Sequence, residues 1–437
     1  MKKLLATLLA STMAFSVMGG LAACGGDDSG PELKVWAPGE SIATYRELAK
    51  QFQKEHSEYS KYNIKFEPVE EGSVQTQMGK DPSTGAAVFF FPSDHLYRLN
   101  KAKVLQPLTS EYVEIVKERD DQQVYEFVTI ENQMLAFPAT NDNGLFLLYD
   151  SDALTEDEVK SLDTMQKKAK AAGKSIAFDY GDVYTSISFF IGAGCEFGYK
   201  DHTMTEYHTT LGSEKGEVAT KAYLKYFNPE LNNDYKAENK VINNGALAVG
   251  LANGNYVAGV TGTWTWASIK SQMEAKGKDP SKIKSAVLPD FEVDGQPYHM
   301  GSFYGAKYCG VNRQKDRDTI KASLALASYF TSEEGQLARY QATFSGPSNI
   351  KAAQDPTIAA DPRLITYNEQ KTHCGYPQRD QSGDFWSGSG FGNLANKIAT
   401  GSIRDSKNPD HTGKTDEQIA IALLKELAGS LEKGAKV

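Results

Sequence analysis

The residues of this chain that could do chemistry do not assemble into a known catalytic or cofactor motif. Residues 173–175 (GKS) match the end of a phosphate-binding loop, but Lys168 stands where that loop requires its first glycine. Residues 192–198 carry spaced glycines after an apolar run, yet the sequence that follows does not open the helix of a dinucleotide site. Residues 150–152 begin like a calcium-binding loop whose turn glycine is replaced by Thr155. We therefore predict no cofactor and no metal site.

The side-chain composition favours recognition over catalysis. The chain of 437 residues has 56 acidic and 47 basic side chains, a net charge of -9, only 7 His, and 22 Tyr with 20 Phe. The acidic balance argues against nucleic-acid binding, which needs a positive surface. The many carboxylates leave a glycosidase pair open, although no spacing singles one out. Aromatic rings without many His or Cys side chains favour a binding surface made of rings and polar groups.

The chain begins with a segment typical of protein export. Lys2 and Lys3 precede an apolar run over residues 4–17, and small residues follow at 19–23. This is the layout of a secretory signal peptide. We therefore expect residues 1–23 to be removed, and the mature protein to function outside the cytoplasm.

A cysteine lies at the expected cleavage point. Residues 21–25 (LAACG) resemble the bacterial lipobox, and this resemblance implies cleavage before Cys24 and lipid attachment to its thiol. Two or more acyl chains hold a protein stably at a membrane. Residues 24–32 would then be a lipidated cysteine and a flexible tether, and we expect contact with the cytoplasmic membrane through this anchor only. The alternative is an ordinary secreted protein with a chance cysteine.

Short apolar strands alternate with helices along the rest of the chain. Residues 33–38, 64–69 and 88–92 are strand-like runs, and the last is mostly apolar, as in a sheet covered on both faces. Helix starts are marked by capping boxes such as Thr155-x-x-Glu158. This alternation predicts an α/β fold with parallel strands.

Three further cysteines, Cys195, Cys309 and Cys374, lie far apart and without CxxC spacing. At most one disulfide is possible among them, and a zinc site is poorly supported. We expect buried free thiols.

The order of segments along the chain resembles a known family. In sequence order, the segments that carry the resemblance are 86–95 (AAVFFFPSDH), 134–140 (MLAFPAT), 143–149 (NGLFLLY), 173–184, 262–267 (GTWTWA), 331–335 (TSEEG), 346–349 (GPSN) and 384–386 (DFW). Behind a lipobox, this series is similar to the extracellular solute-binding proteins of bacterial ABC importers, in their carbohydrate-binding, maltose-binding-protein-like cluster. The likeness extends from about residue 33 to the C-terminus.

The resemblance implies a two-lobed α/β fold of the type II periplasmic-binding-protein class, with a ligand cleft between lobes joined by a multi-strand hinge. The first lobe would hold residues 31–141 and 289–309, and the second residues 146–287 and 313–437. It also implies capture without catalysis, in which a monomer binds an oligosaccharide of maltose or maltodextrin type. Hinge closure would present that sugar to the permease subunits of an ABC importer. A binding protein for a peptide or polyamine is one alternative, and a surface glycosidase is another.

A sugar presents apolar C–H faces and a rim of hydroxyls, so its site needs flat rings and carboxylate or amide side chains. Matched by position, the resemblance assigns stacking on the sugar to four aromatic residues: Phe91, Tyr184, Trp264 and Trp386. It assigns hydrogen bonds with sugar hydroxyls to five polar residues: Glu40, Asp94, Asp142, Asn143 and Asp182. Asn143 falls where the family's maltose binder has a carboxylate, and the neighbouring Asp142 would compensate. On periodicity alone, Phe91 could equally belong to the core. The alternative for Asp94 is that it caps the helix that follows. Trp266 is expected to be scaffold.

Overall fold

The computed structural model describes residues 30–179, 182–200, 206–227, 244–378, 381, 383–386, 390–405 and 408–434. The predicted signal peptide, the predicted lipidation site at Cys24 and most of the predicted tether lie outside these residues. None of the described helices is both long and apolar enough to span a bilayer.

The described elements alternate between strands and helices, and they are labelled here in chain order. The strands are β1 (Glu32–Ala37), β2 (Asn63–Pro68), β3 (Val88–Pro92), β4 (Thr129–Ile130), β5 (Gln133–Met134), β6 (Phe137–Gly144), β7 (Phe146–Asp150), β8 (Ser175–Ala177), β9 (Phe197–Tyr199), β10 (Tyr207–Thr209), β11 (Tyr256–Thr261), β12 (Ile283–Ala286), β13 (Asp290–Val293), β14 (Gln296–His299), β15 (Ser302–Val311) and β16 (Gly375–Pro377). The helices are α1 (Ile42–Glu55), α2 (Val74–Met78), α3 (Leu96–Lys101), α4 (Ser110–Arg119), α5 (Gln122–Phe127), α6 (Leu162–Ala171), α7 (Val183–Ser186), α8 (Ser188–Gly192), α9 (Glu214–Phe227), α10 (Asn244–Asn253), α11 (Trp266–Glu274), α12 (Arg317–Phe330), α13 (Glu333–Thr343), α14 (Ile350–Ala353), α15 (Pro356–Ala359), α16 (Pro362–Cys374), α17 (Gly383–Trp386), α18 (Phe391–Ala399) and α19 (Asp416–Gly434).

The first lobe is built on a sheet in which β1 pairs in parallel with both β2 and β3. Strand β15 runs antiparallel beside β3, and β6 pairs with β15. Helices α1 and α12 pack on this sheet, where Tyr45 stacks on Phe90 with ring centroids 4.6 Å apart. Parallel strands end at the same edge of a sheet, so the segments that follow β1, β2 and β3 come together there.

The second lobe has a sheet in the order β12, β7, β11, β8. The apolar run of β7 is buried on both faces, which explains why it does not alternate with polar residues. Leu147 and Tyr149 belong to one hydrophobic cluster, whereas Phe146 and Leu148 belong to another that includes residues of α10 and α11. Strands β8 and β11 are parallel, so their carboxyl ends also meet at one edge.

In the described part of the chain, three segments connect the lobes. The first is the passage from β6 to β7, where Phe137 packs in the first-lobe core and Phe146 in a second-lobe cluster. The second is β15, whose Phe303 packs in the second-lobe core while Tyr308 packs in the first. The third runs through helices from α12, whose Phe330 packs in the first-lobe core, to α16, whose Tyr367 packs in a second-lobe cluster. The first two crossings are the strands of the hinge.

The lobe boundaries differ from the sequence expectation in two segments. Phe291 and Met300 were expected in the first lobe but lie in the second-lobe core, because the β13–β14 hairpin packs near α8 and the ring of Phe291 lies 5.0 Å from that of Phe189. Helix α12 was expected in the second lobe but packs in the first-lobe core, where Phe330 contacts Tyr45 at 4.9 Å. The chain therefore returns to the first lobe after β15.

Cys195, Cys309 and Cys374 are free thiols, and the first two are buried while Cys374 is half-buried. Burial raises the pKa of Cys195 to about 12 and also raises the pKa of Cys309 and Cys374. These thiols are therefore protonated at neutral pH, which makes them poor nucleophiles. The expectation of free thiols is confirmed.

Candidate ligand-binding cleft

The first-lobe wall of the cleft consists of the short turns that follow β1, β2 and β3. Glu40 lies in the turn Gly39–Ser41, Glu71 opens the turn Glu71–Ser73, and Asp94 lies in the turn Ser93–His95. All three turns stand at the carboxyl ends of parallel strands, the edge at which open α/β sheets bind their ligands. The side chain of Asp94 caps neither its own turn nor α3, so the helix-cap alternative is not realised within the described residues.

The second-lobe wall is made in the same way from the ends of β8 and β11. Asp182 and Tyr184 follow β8, and Trp264 follows β11 in the turn Thr263–Thr265. The ring centroids of Tyr184 and Trp264 are 6.2 Å apart at an interplanar angle of 67°. A Cβ on Gly262 would lie 2.1 Å from the Trp264 ring, so the indole can fold back against its own strand only because residue 262 is glycine.

Three of the four rings predicted to stack on a sugar keep part of their surface exposed, and two of them pack against one buried ring. Phe303 is 1% exposed, and its centroid lies 5.5 Å from that of Tyr184 and 6.0 Å from that of Trp386. Trp264 in turn packs edge-on against Tyr184. The Nε1 of Trp386 is buried without a hydrogen-bond partner in the described part of the chain. The structure therefore brings Tyr184, Trp264 and Trp386 together.

Phe91 does not join this group, and its predicted stacking role is corrected. Its side chain is fully buried in the first-lobe core, with its ring centroid 5.8 Å from those of both Phe89 and Tyr308. Both faces of β3 are covered, so no face of the Phe91 ring is open to a ligand. Trp266, expected as scaffold, is likewise buried and lies beneath the Arg363 guanidinium at 4.3 Å.

Asp142 lies inside the hinge rather than on the cleft surface, which corrects its predicted ligand contact. The side chain is fully buried, and its Oδ2 accepts hydrogen bonds from Thr263 Oγ1 at 2.5 Å and from the Gly346 backbone N–H at 2.7 Å. It therefore links β6 to the turn that carries Trp264 and to the third lobe connection.

Asn143 lies on the cleft floor and is occupied by protein partners. Its Nδ2 donates to Gln378 Oε1 at 2.8 Å, and its backbone carbonyl accepts a hydrogen bond from the Tyr184 hydroxyl at 3.0 Å. Gln378 Oε1 also accepts from Ser93 Oγ at 2.8 Å. Asn143 is only 6% exposed, so its side chain has little surface left for a ligand. Its backbone carbonyl instead holds the hydroxyl of Tyr184.

Carboxylates from the two lobes lie within electrostatic range of each other. Burial raises the pKa of Asp182, and the charge of Asp94 raises it further. The pKa of Tyr184 is raised by burial first and by Asp94 second. Burial also raises the pKa of Glu40, against the opposing charge of Lys307. Glu40 and Asp182 are both exposed to solvent. The raised pKa values of their carboxyl groups therefore reflect concave surroundings rather than full burial.

Two residues that sequence reasoning missed, Lys307 and Gln378, stand at the centre of this arrangement. Lys307 Nζ lies 2.8 Å from Glu71 Oε2 and 5.8 Å from the centroid of Trp264. The signal for Lys307 was present, because it is the only charged residue in the mostly apolar strand β15. Gln378 carried no such signal. Among the described residues, no group of three or more His, Cys, Asp or Glu side chains is arranged to hold a metal ion.

Comparison with known proteins places this geometry in a family. A model of the bacterial extracellular solute-binding proteins matches residues 47–366, which is more than half of the chain. The chain belongs to this family. The resemblance inferred from the order of its segments is thereby confirmed.

Solved structures of similar fold cover nearly the whole of this solute-binding protein. One, solved with acarbose, has a TM-score of 0.76 at 22% identity, covering 93% of this chain and 99% of that one. The maltodextrin-binding protein MalE1 from L. casei BL23, solved without ligand, has a TM-score of 0.69 at 23% identity, covering 92% and 99%. The Thermus thermophilus maltotriose-binding protein bound with maltotriose has a TM-score of 0.69 at 17% identity, covering 91% and 99%. At these identities the likeness establishes the fold, and the predicted two-lobed α/β architecture is confirmed. Comparison with curated proteins gives no match.

Proposed function

We propose that this solute-binding protein captures an oligosaccharide of maltose or maltodextrin type outside the cell and delivers it to an ABC importer. The observation that carries the proposal is the cleft wall itself. Tyr184, Trp264 and Trp386 keep ring surface exposed around Phe303, and carboxylates from both lobes stand beside them. Flat rings match the C–H faces of a sugar, and carboxylates match its hydroxyls. The similar structures solved with acarbose and with maltotriose, and the unliganded maltodextrin-binding protein MalE1, support the same class of ligand.

The mechanism is closure around the ligand. Asp94 belongs to the first lobe, whereas Asp182 and Trp264 belong to the second, so a sugar that contacts all three binds best when the lobes are close. Such a ligand shifts the population towards the closed state in proportion to its preference for that state. No covalent step is needed, and we propose that the protein is a binding protein without catalytic activity.

The remaining parts of the proposal concern delivery. Lipid attachment at Cys24 would hold a monomer at the outer face of the cytoplasmic membrane, where the permease subunits of the importer recognise the closed form. The tether would let the lobes reach the permease while the anchor prevents loss by diffusion.

A ligand panel tests the proposal. Isothermal titration calorimetry and thermal shift should detect saturable binding of maltotriose or maltotetraose by the mature chain, and no reducing ends should appear on prolonged incubation. A large shift with spermidine or a peptide, and none with any oligosaccharide, would replace the sugar by another solute. Release of reducing ends would instead identify a glycosidase.

A pair of tryptophan variants tests the site. Trp264→Ala should weaken maltotriose binding at least roughly tenfold, because stacking contributes about 1.5 kcal/mol or more. The melting temperature of the free protein should change little, since the ring is partly exposed. Trp36→Phe is the matched control, because that indole is buried in the first-lobe core and its Nε1 donates to Glu67 Oε2 at 2.8 Å. Loss of fold in Trp264→Ala would show that Trp264 belongs to the core.

A further inference from the structure

Lys307 occupies an unusual place in the hinge strand β15. The register between β15 and β6 shifts on both sides of Lys307, between Gly305 and Lys307 and again between Lys307 and Tyr308. The Lys307 backbone N–H bonds Thr140 Oγ1 at 3.2 Å. Such irregularities re-aim side chains and are common beside functional sites. Here Lys307 also pairs with Pro92 at the end of β3, one residue before the turn that carries Asp94.

The ammonium group of Lys307 is held among buried charges. Its Nζ lies 2.8 Å from Glu71 Oε2, while Glu71 Oε1 accepts from Arg339 Nη2 at 2.6 Å. The side chains of Lys307 and Glu71 are each 10% exposed, and that of Arg339 is 4% exposed. One carboxylate between two cations leaves the triad with a net charge of +1.

The two buried cations share the carboxylate of Glu71, and the buried Asp142 also acts on Arg339. Glu71 already has a buried partner in Arg339, which also bonds the Tyr45 hydroxyl at 3.2 Å. A second buried cation adds a desolvation cost that the shared carboxylate offsets only in part. An ammonium group has three N–H donors, and apart from Glu71 no acceptor for Lys307 Nζ occurs among the described residues.

The donors that remain are next to the cleft rings. Lys307 Nζ lies 5.8 Å from the centroid of Trp264, and its charge acts on Glu40 in the turn that follows β1. A sugar unit lying against Trp264 would therefore bring its hydroxyl oxygens within reach of this ammonium group.

We propose that Lys307 is a ligand-binding residue, which donates hydrogen bonds to hydroxyl oxygens of the sugar unit beside Trp264 and is held in place for this by Glu71. The assignment rests on the proposed oligosaccharide function and adds a residue and a chemistry to it. Among the described residues, Lys307 supplies donors to a cleft in which the carboxylates of Glu40, Asp94 and Asp182 are acceptors.

The first test removes the ammonium group. Lys307→Met keeps the length of the side chain, and it should weaken maltotriose binding roughly 10- to 100-fold, as expected for loss of a hydrogen bond to a charged group. Lys270→Met is the matched control, because Lys270 also pairs with a glutamate (Glu274, 3.4 Å) and lies over a ring (Phe344, 5.6 Å), but on a helix outside the proposed cleft. The control should bind maltotriose as the wild type does.

The second test separates a ligand contact from a structural role. Lys307→Arg keeps the charge beside Glu71, so the fold should be retained, yet its donors lie in different places and affinity should still fall. Across a series of monodeoxy maltotrioses, the loss caused by Lys307→Met should disappear for the analogue that lacks the contacted hydroxyl and persist for the others.

Each alternative has its own result. If Lys307→Met and Lys307→Arg bind maltotriose within twofold of the wild type, Lys307 does not contact the ligand. If the loss is equal for every deoxy analogue, Lys307 only shapes the cleft and the assignment is overturned. If the wild type binds no oligosaccharide at all, the proposed function fails together with the assignment, whereas intact wild-type binding with unaffected variants overturns the assignment alone.

Discussion

The buried carboxylate of Glu71 makes the acid stability of the first lobe predictable. Burial alone would raise its pKa, but the charges of Lys307 and Arg339 outweigh burial and lower it from 4.5 to about 2. The unfolded chain has no such partners, so there Glu71 titrates near its ordinary value. A carboxylate with a lowered pKa in the folded protein contributes stability above its unfolded pKa, and that contribution is lost as the pH falls towards the folded pKa.

The size of the effect follows from the two pKa values. A pKa of about 2 instead of 4.5 corresponds to about 3 kcal/mol of stabilisation at neutral pH. Linkage predicts that about 2 kcal/mol of this is lost by pH 3 and most of the rest between pH 3 and pH 2. Glu71→Gln should therefore lower the free energy of unfolding by about 3 kcal/mol or more at pH 7, since it leaves two buried cations without their carboxylate.

Urea unfolding at pH 7, 5, 4 and 3 measures the difference between wild type and Glu71→Gln. That difference should shrink by about 2 kcal/mol between pH 7 and pH 3, while contributions of the other carboxylates cancel. Glu67→Gln is the control, because Glu67 pairs with Lys34 at 3.2 Å but is 47% exposed, and an exposed pair contributes less than about 1 kcal/mol. A Glu71→Gln difference that stays constant from pH 7 to pH 3 would refute the reasoning, because the loss would then come from packing rather than from charge.

Three further predictions concern the cleft and its supports. Phe91→Ala should lower the free energy of unfolding by about 3–5 kcal/mol while the folded variant keeps its ligand affinity, measured by urea unfolding and calorimetry; lost affinity at unchanged stability would return Phe91 to the site. Asp94→Asn should lower the pKa of Asp182, because Asp94 is one of the groups that raise it; carboxyl-carbon NMR titration checks this, and an unchanged pKa would show that the two lobes do not sense each other there. Gly262→Ala should weaken ligand binding and alter tryptophan fluorescence, since the new Cβ would meet the Trp264 ring while φ of -112° suits alanine; unchanged fluorescence and affinity would contradict the close packing.

Two of the strands were predictable from sequence. The expected run at 88–92 falls on β3 residue for residue, because β3 is buried on both faces and therefore needs apolar residues at successive positions. The expected run at 33–38 falls on β1 with a shift of one residue, although β1 includes the partly exposed Lys34. Helix starts were less exact. The capping box at Thr155 forms, with Thr155 N–H bonded to Glu158 Oε2 at 3.0 Å, but it opens a single turn, and α6 begins later behind Ser161.

The cleft was only partly predictable, for reasons of geometry. Asp94, Tyr184 and Trp264 follow strand ends, and the structure places them on the cleft walls. The same resemblance assigned stacking to Phe91, and periodicity could not separate core from site there because successive residues of β3 are all apolar. Lys307 was missed because the direction of its side chain depends on the irregular pairing of β15 with β6. Its partner Glu71 is also remote in sequence.

The charges of the cleft bear on which class of ligand it can hold. Asp94 and Asp182 require hydrogen-bond donors from a ligand, whereas the ammonium group of Lys307 requires acceptors. A polyamine offers donors only and would meet the net positive triad of Lys307, Glu71 and Arg339. An anionic ligand offers acceptors only and would meet carboxylates from both lobes. A hydroxyl both donates and accepts, so a neutral polyol with apolar faces for Tyr184 and Trp264 satisfies these groups at once, which favours the proposed oligosaccharide over a polyamine.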